Sequence, residues 1–573
     1  MKHLLIQIYQ EVNCMNPAKF KLIAKKDFST QLVILIFILC LFSVTCSDQK
    51  VSDVQRAYLT PDILCGTVQF SDGCSPRLDT LISFGIALIH HMTYEDAEYT
   101  FSKVIESDPD CFWGYWGKAM TYIHPLWPDV TDENKLKDGY VLTQNALKLA
   151  KTKKEKLYGA AVASYFEDGL KKTQPERLSA FKNGWMLASN ELPEDIEARM
   201  FSVLTMLATV SPTDKSYKVQ REAGAMAEKV LEIIPDHPAG FHYAIHAYDV
   251  PQLSNNAIRV AKNYYKIAPE IPHALHMPTH IFTRLGFWNE SIELNSRSAS
   301  VAWKLPFDNQ ISGHYFHAFD YLTYAYLQIS EFEKAKDIAT VLDTLGGIYQ
   351  PVGATAYALA AIQGRILLEY QLWSEAANLS LNNHSNFPWE KFPQYEALIY
   401  YAKGIGAGRS GNPEIAQQSF QKLEELQNTF KNSEANKYWI NQIEIQKTVV
   451  KAWQLFAQKE MKLSLEMMRS AAELEDATEK SPVTPGQLLP AREMLGDLLI
   501  ELNNPKEALV QYELSLQNNP NRFNSLYGAG KSAELTGDTK KAKFYFNELL
   551  KLNERSNSTR QQIVHAKNLI GKI

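Results

Sequence analysis

The sequence predicts an all-α chain, an α-solenoid of stacked helical hairpins, and three observations carry that expectation. Apolar residues recur with helical spacing over nearly the whole chain, and no segment shows the dense β-branched alternation of a strand. Gly, Asn, Asp and Pro interrupt the pattern at regular intervals, as turns between helices require. A signature of small and aromatic residues also repeats: Gly496, Ala508, Tyr512 and Pro520 are followed 34 positions later by Gly530, Ala542 and Phe546. A lone hairpin cannot bury its apolar face, so such units are stable only when stacked into a shared core.

In chain order, residues 1–45 read as a leader. Lys19, Lys21, Lys25 and Lys26 precede an apolar run from Gln31 to Val44 that is too short for a comfortable membrane span. Met15 is an alternative start that leaves a leader of ordinary length. Residues 46–77 contain Pro61, Gly66, Gly73 and Pro76 with little periodicity and read as a tether. Hairpins begin in "SFGIALIHHMTYEDAEYTFSKVIESDP", where Gly85, Ala97, Phe101 and Pro109 stand at the same offsets as the C-terminal copies. Intermediate copies are marked by Ala223, Ala227 and Pro235, by Gly364 and Ala376, and by Gly404, Ala416 and Phe420. The pattern divides into an N-terminal array, 78–345, and a C-terminal array, 346–573.

These motifs resemble the tetratricopeptide repeat (TPR), and the resemblance covers most of the chain from about Asp79 onward. It implies an array whose first helices line a concave groove and whose partner is a protein or peptide. The stretches "DPDCFWGYWGKAM", "FHYAIHAYD" and "HALHMPTHIFTRLGFW" together resemble a widespread group of bacterial TPR proteins with no assigned reaction, so no catalytic role is carried over. "LFSVTC" is similar to a bacterial lipoprotein signal, with Cys46 as the lipidated residue, although Thr45 departs from the usual small Gly or Ala. The resemblance implies an exported protein anchored through a lipid on the periplasmic or cell-surface side; a plain signal peptide or uncleaved anchor is the alternative.

With 573 residues and 45% hydrophobic content, the chain can bury a large interior but not as one compact core. A net charge of −5 and the lack of a basic block argue against a nucleic-acid partner. Past the leader, an oxidising compartment permits a Cys65–Cys74 bridge, which leaves Cys111 odd. No CxxC pair supports a zinc ribbon.

Histidine is the unusual feature. Eight of the 14 histidines lie between His237 and His317. His242 and His246 share a helix face by i, i+4 spacing, with Asp249 at i+7. His276 and His280 repeat that pair one 34-residue period later, and His273 precedes them. Pro238 and Pro272 each suit the first turn of a helix, which places the paired histidines on consecutive first helices. Helices that pack 8–10 Å apart bring equivalent side chains together, so His242, His246, His276 and His280 are expected to form a square. Neutral imidazoles at that spacing preset two ligands per helix for a divalent transition metal such as Zn, Cu or Fe. Asp249, His273, His317 and Asp320 complete or orient the set. Two features weigh against a metal: a plain hydrogen-bonded seam gives the same pattern, and Pro278 lies where it would kink the helix between His276 and His280.

Other signals are weaker. "GAGKS" at Gly528–Ser532 lacks the first glycine of a phosphate-binding loop, and no HExxH, GxSxG or GxGxxG pattern occurs. Trp113 and Trp116, at i, i+3, are either an aromatic platform on the groove or ordinary interhelical packing. Two function classes follow: a docking scaffold for a protein or peptide, and a metal-binding or metal-dependent protein. No sequence feature requires an enzyme.

Overall fold

In three hairpins, one near the start of the array and two near its end, a glycine on the first helix meets an aromatic ring from the second. A Cβ on Gly85 would stand 2.6 Å from the Phe101 ring, one on Gly496 2.7 Å from Tyr512, and one on Gly530 2.7 Å from Phe546. Each contact is closer than any real Cβ tolerates, so the hairpins exist at this spacing because those positions carry no side chain. The small–aromatic offset legible in the sequence is therefore a distance rule.

The computed structural model describes residues 58–573 except 71–73, 128–130, 307–309, 346, 348, 381–383, 385, 431–435, 482, 557 and 572–573. The leader, Cys46 and the first part of the expected tether lie outside the described residues. The rest is helical, from Pro76–His90 to Gln561–Ile570. Among the described residues there is no strand, one isolated bridge joins Ile311 and Tyr349, and no helix is long and apolar enough to cross a membrane. Each helix packs chiefly on its neighbours in the chain, the pattern of a TPR-type α-solenoid. "GAGKS" lies inside the helix Phe523–Leu535, where Gly528 and Gly530 are packing positions against Tyr512 and Phe546.

The apolar core forms two large clusters, one from Leu59 to Leu294 and one from Ala299 to Ala566, which meet within the helix Trp288–Ala302. The boundary expected at 345 does not coincide with this division, because Gly313–Gln328 packs on Gly353–Glu369 across it. The described part of residues 46–77 is not a free tether. Leu59 and Phe70 are buried, the Leu59 amide donates to Asp96 Oδ1 at 3.1 Å, and Thr67 N donates to the Asp236 carbonyl at 3.2 Å. Gly66, at φ 73°, permits the close approach to Asp236. The first helix opens at Pro76, inside the expected tether.

The cysteine expectation is also corrected. Cys74 pairs with Cys111, 37 residues away, and Cys65 is free. Folding places the loop before Pro76 beside the N-terminus of the helix Phe112–Met120, a proximity that short sequence separation does not reveal. Burial and the Asp236 charge push the Cys65 thiol up to about 11, so it is an inert thiol.

Residues far apart in sequence also meet within the C-terminal half. Trp288 Nε1 donates to the Asn521 carbonyl at 2.9 Å, and Arg522, fully buried, donates to Tyr324 OH at 2.9 Å while pairing with Glu369 and Glu493. Non-reducing peptide mapping is expected to recover a Cys74–Cys111 peptide pair and no Cys65–Cys74 pair. Cys111→Ser should lower stability by about 3–4 kcal/mol from the loop entropy released, read as a denaturation midpoint shift that vanishes in reductant.

Candidate functional site

Pro238 and Pro272 both stand in the first turn of a helix, Pro238–Tyr248 and Pro272–His276, so the two histidine segments start in register. Pro278 breaks the second segment, and a new helix, Pro278–Leu285, continues it. The break does not separate the pair: His276 Nε2 and His280 Nε2 are 3.0 Å apart, beside 3.1 Å for His242 Nε2 and His246 Nε2.

The expected square is replaced by two triads. The ligand atoms of His242, His246 and His273 lie within 4.8 Å of one another, and so do those of His276, His280 and His317. The rings form one continuous nest: centroids are 5.0 Å apart for His242 and His273, 4.1 Å for His276 and His317, and 6.1 Å for His246 and His280. Trp127 lies against His273 and His317, at 5.3 and 6.1 Å. Of the six, only His246 is not fully buried.

Several Nδ1 atoms have a fixed acceptor. His242 Nδ1 faces the His90 carbonyl, His276 Nδ1 faces Asn295 Oδ1 at 2.7 Å, and His280 Nδ1 faces Asp249 Oδ2 at 2.9 Å. Asn295 Nδ2 donates to the Ser291 carbonyl at 2.9 Å, which fixes Oδ1 as the acceptor. In neutral rings these contacts place the N–H on Nδ1 and the lone pair on Nε2. Neither ring nitrogen of His273 has a hydrogen-bond partner among the described residues, although the side chain is buried.

Asp249 is the charged hinge of the site. It accepts from Arg284 Nε at 2.8 Å and from Lys480 Nζ at 3.3 Å as well as from His280. Burial alone would raise its carboxyl, but Lys480 and Arg284 outweigh that and hold it well below the ordinary carboxylate range. Burial lowers Lys480 to about 8, partly offset by Asp249. Burial likewise lowers the imidazoles: His246 to about 3, with His280 adding to the effect, and His91 to about 4, opposed by its contact with the Cys65 carbonyl. His242, His273, His276 and His317 fall well below their usual value for the same first cause.

The chain's own later residues cover this face, so it is not an open groove. Lys480 reaches Asp249, Tyr321 OH donates to the Thr484 carbonyl at 3.1 Å, and Val483 lines a cavity of about 20 Å³ with His246, His273, His280, His317, Met92 and Met277. Asp320 is buried beside Arg365, 3.6 Å away, and is raised by burial to about 6 despite that guanidinium. Neither of its carboxylate oxygens has a hydrogen-bond partner among the described residues.

Trp113 and Trp116 are corrected outright: neither has any exposed surface. Trp113 meets Phe70, Phe112 and Tyr158 edge-on at 4.6, 4.7 and 5.4 Å, while Trp116 packs on Trp185 and Phe201. They are core. Sequence reasoning missed Lys480, Val483, Trp127 and Asn295, which arrive from distant or unremarked positions. It also missed a third cluster, in which Glu197 accepts from His90 at 2.6 Å and His237 at 3.0 Å and is thereby already satisfied.

A tetratricopeptide repeat model matches residues 523–556. No curated protein matches the sequence. Among solved structures, the human IFIT1 dimer with m7Gppp-AAAA is 14% identical, covers 73% of this chain and 87% of that chain, and gives a TM-score of 0.37. Yeast Tom70 is 13% identical over 87% of this chain and 96% of that chain, TM-score 0.31. The APC/C hetero-tetramer Cut9-Hcn1 is 13% identical with the same coverages, TM-score 0.30. These likenesses are too distant to carry a function.

The neutral imidazoles fix a pH response. Unfolded histidines bind protons below about pH 6.5, whereas burial holds the nest imidazoles and His91 below that value, with His246 at about 3 and His91 at about 4. The unfolded state therefore takes up more protons in that window, and stability, full above pH 6.5, is lost as pH falls. Thermal unfolding followed by circular dichroism should show Tm dropping steeply from pH 7 to 5; a flat Tm would contradict neutral burial.

Proposed function

We propose that the chain is an exported, membrane-tethered repeat scaffold that docks a protein or peptide partner. The observation that carries this reading is an apolar groove of about 590 Å³ between the helices Trp288–Ala302, Gly313–Gln328 and Phe332–Thr344. Trp303 stands 54% exposed at its edge, 5.3 Å from Tyr315, which stacks toward Phe319 at 4.2 Å. Tyr326 closes the groove, and Lys334 and Asp337 supply a polar rim.

One exposed tryptophan backed by partly and fully buried aromatics, with a charged rim, is the composition of a binding hot spot. A short segment with two or three apolar anchors fits its size and chemistry. The inner face is covered by Lys480, Val483 and Thr484, so docking is assigned to this surface instead. The export reading is supported by the leader pattern and by the Cys74–Cys111 disulfide, a bond that persists in oxidising compartments. The lipid at Cys46 supplies the tether.

With a photo-crosslinking residue in place of Trp303 in the producing cells, one dominant adduct is expected, lost when Phe319→Ala and Tyr326→Ala are added. A smear of unrelated adducts, or none, contradicts docking here. Cys46→Ala should move the chain from the membrane fraction to the soluble fraction; unchanged membrane recovery contradicts the lipid tether.

A further inference from the structure

We propose that the histidine nest is a two-ion copper site, one ion held by His242, His246 and His273 and the other by His276, His280 and His317. This goes beyond the docking reading and does not depend on it.

The arrangement of protons carries the argument. His276 Nδ1–H donates to Asn295 Oδ1, and His280 Nδ1–H donates to Asp249 Oδ2. A neutral imidazole has one N–H, so the two Nε2 atoms, 3.0 Å apart, face each other lone pair to lone pair. A hydrogen-bonded seam cannot account for that pair, because neither nitrogen retains a proton to share. A metal ion bound by both does: bonds of about 2.0–2.1 Å span such an edge at an angle of roughly 95°. An imidazole whose far nitrogen donates to a carboxylate is also the usual outer support of a metal ligand.

The first triad has the same spacing but commits only one of its two facing rings: no acceptor among the described residues holds a proton on His246 Nδ1, so the case for this ion rests on His273. His242 Nδ1 is committed to the His90 carbonyl, and its Nε2 lies 3.1 Å from His246 Nε2. His273, the third member, is buried with neither ring nitrogen hydrogen-bonded among the described residues. Buried polar atoms are almost always satisfied, and coordination supplies a partner for one of the two His273 nitrogens.

The donor set selects the metal. All six ligands are neutral, and the nearby carboxylate, Asp249, is already matched by Arg284 and Lys480. Two divalent ions would add four positive charges to a buried site, a heavy desolvation cost; two copper(I) ions add half as many. Imidazole suits copper, and thioethers select its reduced form. Met92 and Met277 line the same cavity as His246, His273, His280 and His317.

The test is anaerobic titration of the full, tag-free chain with copper(I) in competition with bicinchoninate. Two copper ions per chain are expected. His246→Ala and His280→Ala should each reduce this to one and the double variant to none, whereas His565→Ala should retain two. X-ray absorption on the loaded wild-type chain, which does not depend on any variant folding, should show the outer-shell scattering of imidazole rings around the copper; its absence overturns the site. Failure to retain copper overturns the site. A single copper unaffected by either variant overturns the two-triad assignment. Two zinc ions that equimolar copper(I) cannot displace overturn the choice of metal.

Discussion

The contact between a glycine on the first helix of a hairpin and an aromatic ring from the second sets the helix spacing at both ends of this array, the spacing that the intervening repeats continue. Gly85 against Phe101, Gly496 against Tyr512 and Gly530 against Phe546 repeat one distance along the array. Because the ring occupies the place of an absent Cβ, the two helices can neither separate without opening a cavity nor approach without a clash. A fixed hairpin width makes successive first helices equivalent. That equivalence turns a 34-residue period in sequence into histidines that are neighbours in space.

The part of the site that follows from this periodicity was legible from residue types alone. His242 with His246 and His276 with His280 needed only helical spacing and the matched prolines Pro238 and Pro272. The grouping was not legible. His273 and His317 decide which imidazoles associate, and their placement depends on side-chain direction and on the break at Pro278, which re-aims the second helix while leaving its pair within 3.0 Å. Asn295 and Lys480 were invisible for a different reason: nothing local marks an asparagine or lysine as the partner of a ring dozens or hundreds of residues away.

The misreadings have a common cause. Trp113 and Trp116, whose i, i+3 spacing left a groove platform and interhelical packing both open, point to the buried face of the helix Phe112–Met120, with Tyr115 and Lys118 on its partly exposed face. Cys65 and Cys74 are close in sequence, yet Cys74 bonds Cys111. The segment from Leu59 to Phe70, poor in periodicity, packs as an extended strap rather than hanging free. In each case, period and proximity along the chain were informative about helices and uninformative about what folds against them.

The ties between distant segments change what kind of solenoid this is. Repeat arrays whose units touch only their neighbours can fray from an end and keep the rest. Here Lys480 reaches Asp249 across 231 residues, Trp288 reaches Asn521 across 233, and Arg522 reaches Tyr324 across 198. Such contacts raise the contact order toward that of a closed domain and slow its folding. They also make the histidine nest a late product of synthesis: its lysine is added only after five-sixths of the chain has emerged. A truncated or stalled chain would carry every imidazole and still lack the finished pocket, so completeness of the protein is itself a condition for the site.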